Sequence, residues 1–176
     1  HVTAATVGDN YIKAIGGVAA VNKINTLTML ANATVQNMPI DMKIIQGAGG
    51  KIYQEITAMG QTVQKMAFDG KDGYIELQGQ KNPLPADAKT TLKAKKTIFP
   101  ELNFATDKSY QVGGTEKYNG EDSYVVKKDG ETSYYSVKTG LKTGEVKVQK
   151  AMGQTMTIPT NYSDYRDVAG VKMPYQ

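Results

Sequence analysis

The sequence has no cysteine, no tryptophan and a single histidine, which is the first residue. The lack of cysteine removes disulfides, thiolate nucleophiles and cysteine–zinc sites together, and it leaves the redox compartment undecided. The lack of an internal histidine takes the base away from Ser-His-Asp and Cys-His schemes. Zinc sites built on imidazole or thiolate have no ligands. What chemistry remains would run on carboxylates or lysine; no metal or other cofactor is expected, and no catalytic residue is assigned. Arginine is almost missing too, since Arg166 is the sole one, whereas nucleic-acid readers use arginine for bidentate contacts to phosphate and guanine. No nucleic-acid partner is expected. No apolar stretch approaches the roughly 20 residues of a membrane-spanning helix, and no signal-peptide core is present.

What is present describes a globular chain. Hydrophobic residues make up 40% and charged ones 22% of 176 residues, a balance that separates it from disordered sequences. A chain of this length buries roughly two-thirds of its unfolded surface without disulfide or metal staples. The net charge is +4. The basic excess is lysine spread along the chain, densest at Lys89, Lys93, Lys95 and Lys96, which reads as a solvated face. A start at His1 rather than Met is what a processed form or an excised piece of a longer chain would show. No linker rich in proline, serine or glycine divides the sequence, so one domain spanning 1–176 is expected.

Glycine punctuates the chain at intervals of about ten residues, the rhythm of antiparallel strands joined by tight hairpins. The turn signals are Met59-Gly60, Asp69-Gly70, Asp72-Gly73, Gly113-Gly114, Asn119-Gly120, Asp129-Gly130, Thr139-Gly140 and Met152-Gly153. Between them, strands are expected at 26–38, 40–46, 51–58, 62–69 and 74–77, then at 108–118, 123–128, 132–137, 145–150 and 155–165. Two segments break the rhythm. Over 7–23, Ile12, Ile15 and Ala19, with Val18 and Ala20, recur at helical spacing around Gly16-Gly17. Over 85–99, Pro85 and Asp87 suit a helix start and Lys93 to Lys96 suit its end. The loop 78–84 before it, with Gly79, Asn82 and Pro83, reads as a hinge. The echo of 58–62 at 151–155 reads either as a duplication or as repeated turn chemistry.

Period-2 alternation places Leu27, Met29 and Ala31 on one face of the first strand and Ile40, Met42 and Ile44 on one face of the second. Met66 and Phe68, Leu77, Val146 and Val148, and Met156 and Ile158 continue the pattern, with Leu92 and Phe99 contributed by the central helix. These are the candidate ligand-binding residues. Methionine is flexible and polarisable, so this face suits an adaptable groove for an acyl chain or another apolar molecule. An ordinary core with methionine as filler has the same periodicity.

Other constellations carry less. From Asp69, a calcium loop would need oxygen ligands where Lys71 and Gly73 stand, so Asp-containing turns fit better. Asp41, Glu55 and Glu76 lie on expected strands and read either as a carboxylate pair or as separate solvent-facing charges. Arg166, between Asp164 and Asp167, reads either as a buried cation or as an exposed strand-end ion pair.

Several short motifs follow one another in order: Tyr11-Ile12-Lys13-Ala14-Ile15-Gly16-Gly17; Phe68-Asp69-Gly70; Phe99-Pro100-Glu101-Leu102; Tyr134-Tyr135 before Thr139-Gly140-Leu141; and Tyr162-Ser163-Asp164-Tyr165-Arg166 before Gly170-Val171-Lys172-Met173-Pro174. The series resembles the domain at the C-terminus of some bacterial insulinase-like (pitrilysin-type) zinc peptidases. It is also similar to the Lol-pathway lipoprotein carriers of the cell envelope (LolA/LolB-like). The resemblance implies a half-open, strongly curved sheet with helices plugging its concave face, and a periplasmic or cell-envelope location. In the carriers the concavity holds acyl chains and an early arginine latches the lid helix; here no arginine precedes Arg166. The peptidase zinc motif, two histidines and a glutamate on a helix, is absent as well.

The fold expected is therefore α+β: a single curved antiparallel sheet of about ten strands, a half-open β-barrel with helices on the concave face. The function expected is non-catalytic binding of a lipid-like or other apolar ligand in that concavity. The alternative is an accessory domain of an insulinase-like peptidase that binds a peptide or protein partner.

Overall fold

The computed structural model describes residues 1–151 and 153–176, and the side chains of all of these except 149–151. Met152, in one of the expected turns, lies outside the described residues. The chain forms two compact units, one made of His1–Lys23 with Glu101–Gln176 and the other of Ile24–Pro100.

The unit Ile24–Pro100 is a six-stranded antiparallel meander in the order β1 to β6. Its strands are β1 (Thr26–Val35), β2 (Met38–Gly47), β3 (Ile52–Ala58), β4 (Gln61–Phe68), β5 (Gly73–Leu77) and β6 (Gln80–Pro83). Most joints are two-residue turns with both central residues at positive φ, as at Met59-Gly60, the geometry that matches the twist of paired strands. After β6 comes the helix of this unit, α3 in chain order (Ala86–Lys93). Leu92 of α3 packs with Phe68 and Leu84, with Ile52, Met66 and Ile75 against them. Gly50 permits this docking, because a Cβ there would collide with the Leu92 carbonyl.

The other unit opens with α1 (Ala4–Ile15) and α2 (Val18–Asn22). Thr3 caps α1 by accepting the Thr6 N–H at 3.3 Å, which is why the helix begins before residue 7. The break at Gly16-Gly17 is as expected, with the Gly17 N–H returning to the Ile12 carbonyl at 2.8 Å. Val7, Tyr11, Ile12 and Ile15 form the buried stripe of α1. In α2 the buried residue is Val21, while Val18 and Ala19 are exposed. A five-stranded sheet runs in the order β11-β10-β9-β8-β7, and β12 pairs with β13 alone. These strands are β7 (Gln111–Tyr118), β8 (Glu121–Lys128), β9 (Glu131–Ser136), β10 (Lys142–Ala151), β11 (Gln154–Asn161), β12 (Tyr165–Val168) and β13 (Val171–Pro174). Phe104, Val125, Val126, Tyr135 and Val171 are buried in this unit.

Five expectations are corrected. The described residues form three antiparallel sheets and no closed barrel, rather than one sheet of ten strands. Between β6 and β7 the chain makes α3 and a 3-10 turn (Pro100–Asn103), and no ladder joins those two strands. The run expected over 155–165 breaks at Asp164, whose φ of 54° is left-handed; β12 and β13 then form their own hairpin.

The strand expected over 26–38 turns at Gln36-Asn37, with φ of 50° and 63°. That turn carries no glycine, so the glycine rhythm passes over it. The expected hinge loop likewise contains a turn at Gln78-Gly79 and the short strand β6, with Pro83 tolerated because β6 is at the sheet edge. The helix expected to reach residue 99 ends at Lys93, capped by Ala94. Pro100 disfavours helix at the residue before it, and Lys93, Lys95 and Lys96 would repel along a continued helix.

Candidate functional site

In an antiparallel pair, directly opposed residues point to the same side of the sheet. Met29 stands opposite Ile44, Ala31 opposite Met42 and Ala33 opposite Ile40. Met42 then faces Ile56, and Ile44 faces Gln54. Gln54 faces Met66, and Ile52 faces Phe68; Met66 faces Ile75, and Gln64 faces Leu77. The candidates Leu27, Met29, Ala31, Ile40, Met42, Ile44, Met66, Phe68 and Leu77 therefore share one face of the six-stranded sheet. That face is unevenly covered. At the Phe68 end, Leu84 and Leu92 close over it. Away from that end Met29 is 42%, Val35 52% and Leu77 49% exposed. A filled core and an open apolar surface thus occupy two ends of one face, and Gln54 bridges them by donating from Nε2 to Met42 Sδ at 3.9 Å. Phe99 is buried beyond the end of α3.

The remaining candidates do not join this face. Val146, Val148, Met156 and Ile158 belong to the other unit. On β10 and β11, Val148 opposes Thr157 while Ile158 opposes Lys147. Val146 and Val148 therefore point to one side, and Met156 and Ile158 to the other. Alternation is correct within each strand, but it cannot say which phase of one strand meets which phase of the next.

The opposite face of the six-stranded sheet carries a ladder of alternating charge. Lys43 opposes Glu55, Glu55 opposes Lys65, Lys65 opposes Glu76 and Glu76 opposes Lys81. Each carboxylate thus has a cation on either side, and Asp41 stands apart opposite Thr57; these are solvent-facing charges rather than a carboxylate pair. Tyr53 donates to Glu55 Oε2 at 2.7 Å, and that hydrogen bond pushes the phenol up to about 12. A hollow of about 270 Å³ sits on this face among Leu30, Asp41, Lys43, Glu55 and Thr57. A larger, open one of about 610 Å³ borders Phe68, Asp69, Asp72, Tyr74, Lys81 and Pro83. Its walls are built by a turn, since Asp69 Oδ1 accepts the N–H groups of Lys71 and Asp72, each at 2.8 Å. Among the described residues no cluster of three metal-ligating side chains occurs. Arg166 binds Asp164 Oδ2 at 2.7 Å with both side chains largely exposed, the strand-end ion pair rather than a buried cation.

The other unit holds a buried polar cluster that spacing does not reveal. Tyr135 on β9 donates to Glu101 Oε1 at 2.8 Å. A bulge in β10 between Lys142 and Gly144 re-aims Lys142, whose ammonium reaches Glu145 Oε2 at 3.1 Å. Tyr162 donates to Glu145 Oε1 at 2.8 Å, and Lys147 lies 3.6 Å from the same oxygen. The Tyr165 hydroxyl donates to the Lys142 carbonyl at 2.7 Å, and the Tyr11 ring of α1 packs edge-on against the Tyr135 ring with centroids 5.5 Å apart.

The electrostatics fix the charge states. Burial alone would raise the Glu145 carboxyl, but Lys142, Lys147 and Tyr162 outweigh it and bring it down to about 2. Burial alone would lower the Lys142 ammonium, but Glu101 and Glu145 outweigh it and push it up. Burial, then the charge of Glu101, hold the Tyr135 phenol well up. Near neutrality Lys142 stays a cation, Glu145 an anion and Tyr135 a neutral donor. Such a network ties α1, the 3-10 turn and the β12 segment to the sheet, and these three groups are poorly placed to shuttle protons. The sequence signal available was a cluster of tyrosines between 134 and 165, but the partners Glu101, Lys142 and Glu145 come from separate segments.

No protein-family model, curated protein or solved structure matches the chain. The functional reading therefore rests on the two faces of the six-stranded sheet and on the buried cluster.

Proposed function

We propose that the unit Ile24–Pro100 is a non-catalytic binding module that takes an acyl chain or similar apolar molecule on its methionine-bearing face. The observation that carries the reading is the uneven cover of that face: the end under Leu92 is packed, while Met29, Val35 and Leu77 remain open. Exposed apolar surface of this kind, continuous with a packed core and backed by a charged face, favours an apolar occupant. Methionine at positions 29, 42 and 66 lets the surface adapt to chains of different shape. The sequence resemblance to the envelope lipoprotein carriers supports an acyl ligand and an envelope location.

A titration with a fluorescent fatty acid tests this. Micromolar affinity is expected, equivalent to about −8 kcal/mol. Met29→Lys places an ammonium on the open part of the face and should abolish the signal while leaving the melting temperature in place. Wild-type protein that takes up no fatty acid and no phospholipid acyl chain would sink the reading.

A further inference from the structure

We propose that the outer edge of β1 is a self-association surface, and that two copies of this chain pair antiparallel through β1 about a two-fold axis at Leu30. This goes beyond the ligand reading and does not depend on it.

The first observation is that β1 is an unguarded edge. A sheet edge presents unpaired N–H and C=O groups, which proteins usually blunt with charge, proline, a bulge or short length. The three other edges of the two large sheets do so. Strand β6 has four residues and contains Lys81 and Pro83. Strand β7 is bulged between Val112 and Thr115 and carries Glu116 and Lys117. Strand β11 contains Pro159, which offers no N–H. Strand β1 has none of these: its ten residues, TLTMLANATV, include no charge and no proline, and its register with β2 is unbroken. Among the described residues no strand pairs with its outer side.

The second observation fixes which groups are free. The turn at Gln36-Asn37 is of the two-residue type, closed by Val35 and Met38, and such a turn hydrogen-bonds its flanking pair. Bonded and non-bonded pairs alternate along an antiparallel ladder. Leu27, Met29, Ala31, Ala33 and Val35 therefore bond to β2, while Thr28, Leu30, Asn32 and Thr34 turn their backbone groups to the open edge.

The third observation selects the partner. On the polar face of β1 the residues are Thr26, Thr28, Leu30, Asn32 and Thr34, and Leu30 is 75% exposed. It stands opposite Lys43, at the end of the charge ladder, where a carboxylate would continue the alternation. A two-fold axis at Leu30 accounts for it. Leu30 then opposes Leu30 of the second copy, Thr28 opposes Asn32, and Thr26 opposes Thr34. On the other face Met29 opposes Ala31 and Leu27 opposes Ala33. Every opposed pair is uncharged, and apolar meets apolar, so a second β1 fits the edge that the strand itself leaves open.

Sedimentation velocity over a wide concentration range, from low micromolar upwards, should show wild-type monomer and dimer in equilibrium. Leu30→Glu completes the ladder beside Lys43 in the monomer but sets two carboxylates against each other at the axis. It should weaken the dimer by roughly ten-fold or more, the equivalent of about 1.4 kcal/mol, without lowering the melting temperature. Leu30→Pro removes an outward N–H and should also give monomer. Because the wild type has no cysteine, Leu30→Cys supplies a lone thiol. Opposed Cα atoms in a bonded pair lie about 5.5 Å apart, within disulfide range, so mild oxidation should give a covalent dimer. A wild type that stays monomeric throughout overturns the proposal. So does a dimer unaffected by Leu30→Glu, or a monomer whose edge instead captures an extended peptide of unrelated sequence.

Discussion

Tyr135 and Glu101 share a 2.8 Å hydrogen bond with 1% and 5% of their surfaces exposed. Tyr53 and Glu55 share one of 2.7 Å between half-buried side chains. The donor and acceptor types are the same, and only the surroundings differ. Removing a donor from a buried carboxylate leaves the charge without its partner and without water.

Tyr135→Phe is accordingly expected to cost about 2–3 kcal/mol, even though the ring contacts to Tyr11 and Phe104 are kept. Tyr53→Phe should cost less than about 1 kcal/mol, since water replaces the hydroxyl. Urea unfolding midpoints of the two variants check this. Equal losses would mean that burial of Glu101 is not what gives its bond weight.

These two pairs also show what a sequence discloses. Tyr53 and Glu55 are two residues apart on one strand, so their shared face follows from alternation. Tyr135 and Glu101 are brought together by a 3-10 turn and a strand far apart in the chain, and no period links them. The same holds more widely. Turns such as Met59-Gly60 and Asn119-Gly120 are legible because glycine supplies a positive φ, whereas Gln36-Asn37 adopts the same geometry without glycine and is silent. Faces are legible strand by strand, as at Met29 and Met42. The phase between neighbouring strands is set by hairpin register, which is why Val148 and Ile158 part company. Cross-strand order also reveals what alternation could not: the succession Lys43, Glu55, Lys65, Glu76, Lys81 exists only once the ladder is formed.

The acid sensitivity of the unit containing Glu145 follows from its lowered carboxyl. A glutamate ordinarily titrates near 4.3 in an unfolded chain, and Glu145 in the fold titrates at about 2. Between those values the unfolded state binds more protons, so stability rises with pH there. Its contribution, on the order of 2–3 kcal/mol, is fully present above about pH 5 and is lost as pH falls through the folded value. Glu145→Gln should be less stable at neutral pH and should flatten the decline below about pH 5. Chemical denaturation across that acid range reads it, and an unchanged slope in Glu145→Gln would assign the acid loss to other carboxylates.

Met29 and Met66 lie on one face but at opposite ends of its cover. Met66 packs against the Phe68, Leu84 and Leu92 cluster, so Met66→Lys puts an ammonium into a filled core. A loss of several kcal/mol is expected. Met29→Lys should leave stability within about 0.5 kcal/mol, because the side chain is already 42% exposed. Thermal melts separate the two. Comparable destabilisation by both substitutions would show that the face is packed along its whole length.

The helix α3 closes the packed end of the methionine-bearing face through Leu92. Only Leu92 among its eight residues is buried, which is worth roughly 1.5–3 kcal/mol. The Lys89–Asp72 ion pair at 3.2 Å is exposed and adds at most about 1 kcal/mol. Thr90 and Thr91 donate their hydroxyls back to the Ala86 and Asp87 carbonyls, a habit that weakens helices slightly. Against this stands the ordering of the segment, at about 1–2 kcal/mol per residue before its hydrogen bonds are counted. A helix so lightly held opens at a small fraction of the global unfolding free energy. The right standard for comparison is β3, which is paired on both sides, because β1 leaves alternate N–H groups unpaired even in the intact fold. Amide exchange over 89–94 should therefore be much faster than over Ile52–Ala58. A long-chain acyl ligand would give α3 more apolar surface to close on, and should slow exchange in the helix more than in β3. If free protein already protects α3 as well as β3, the helix is a fixed part of the core and does not gate the open end of the face.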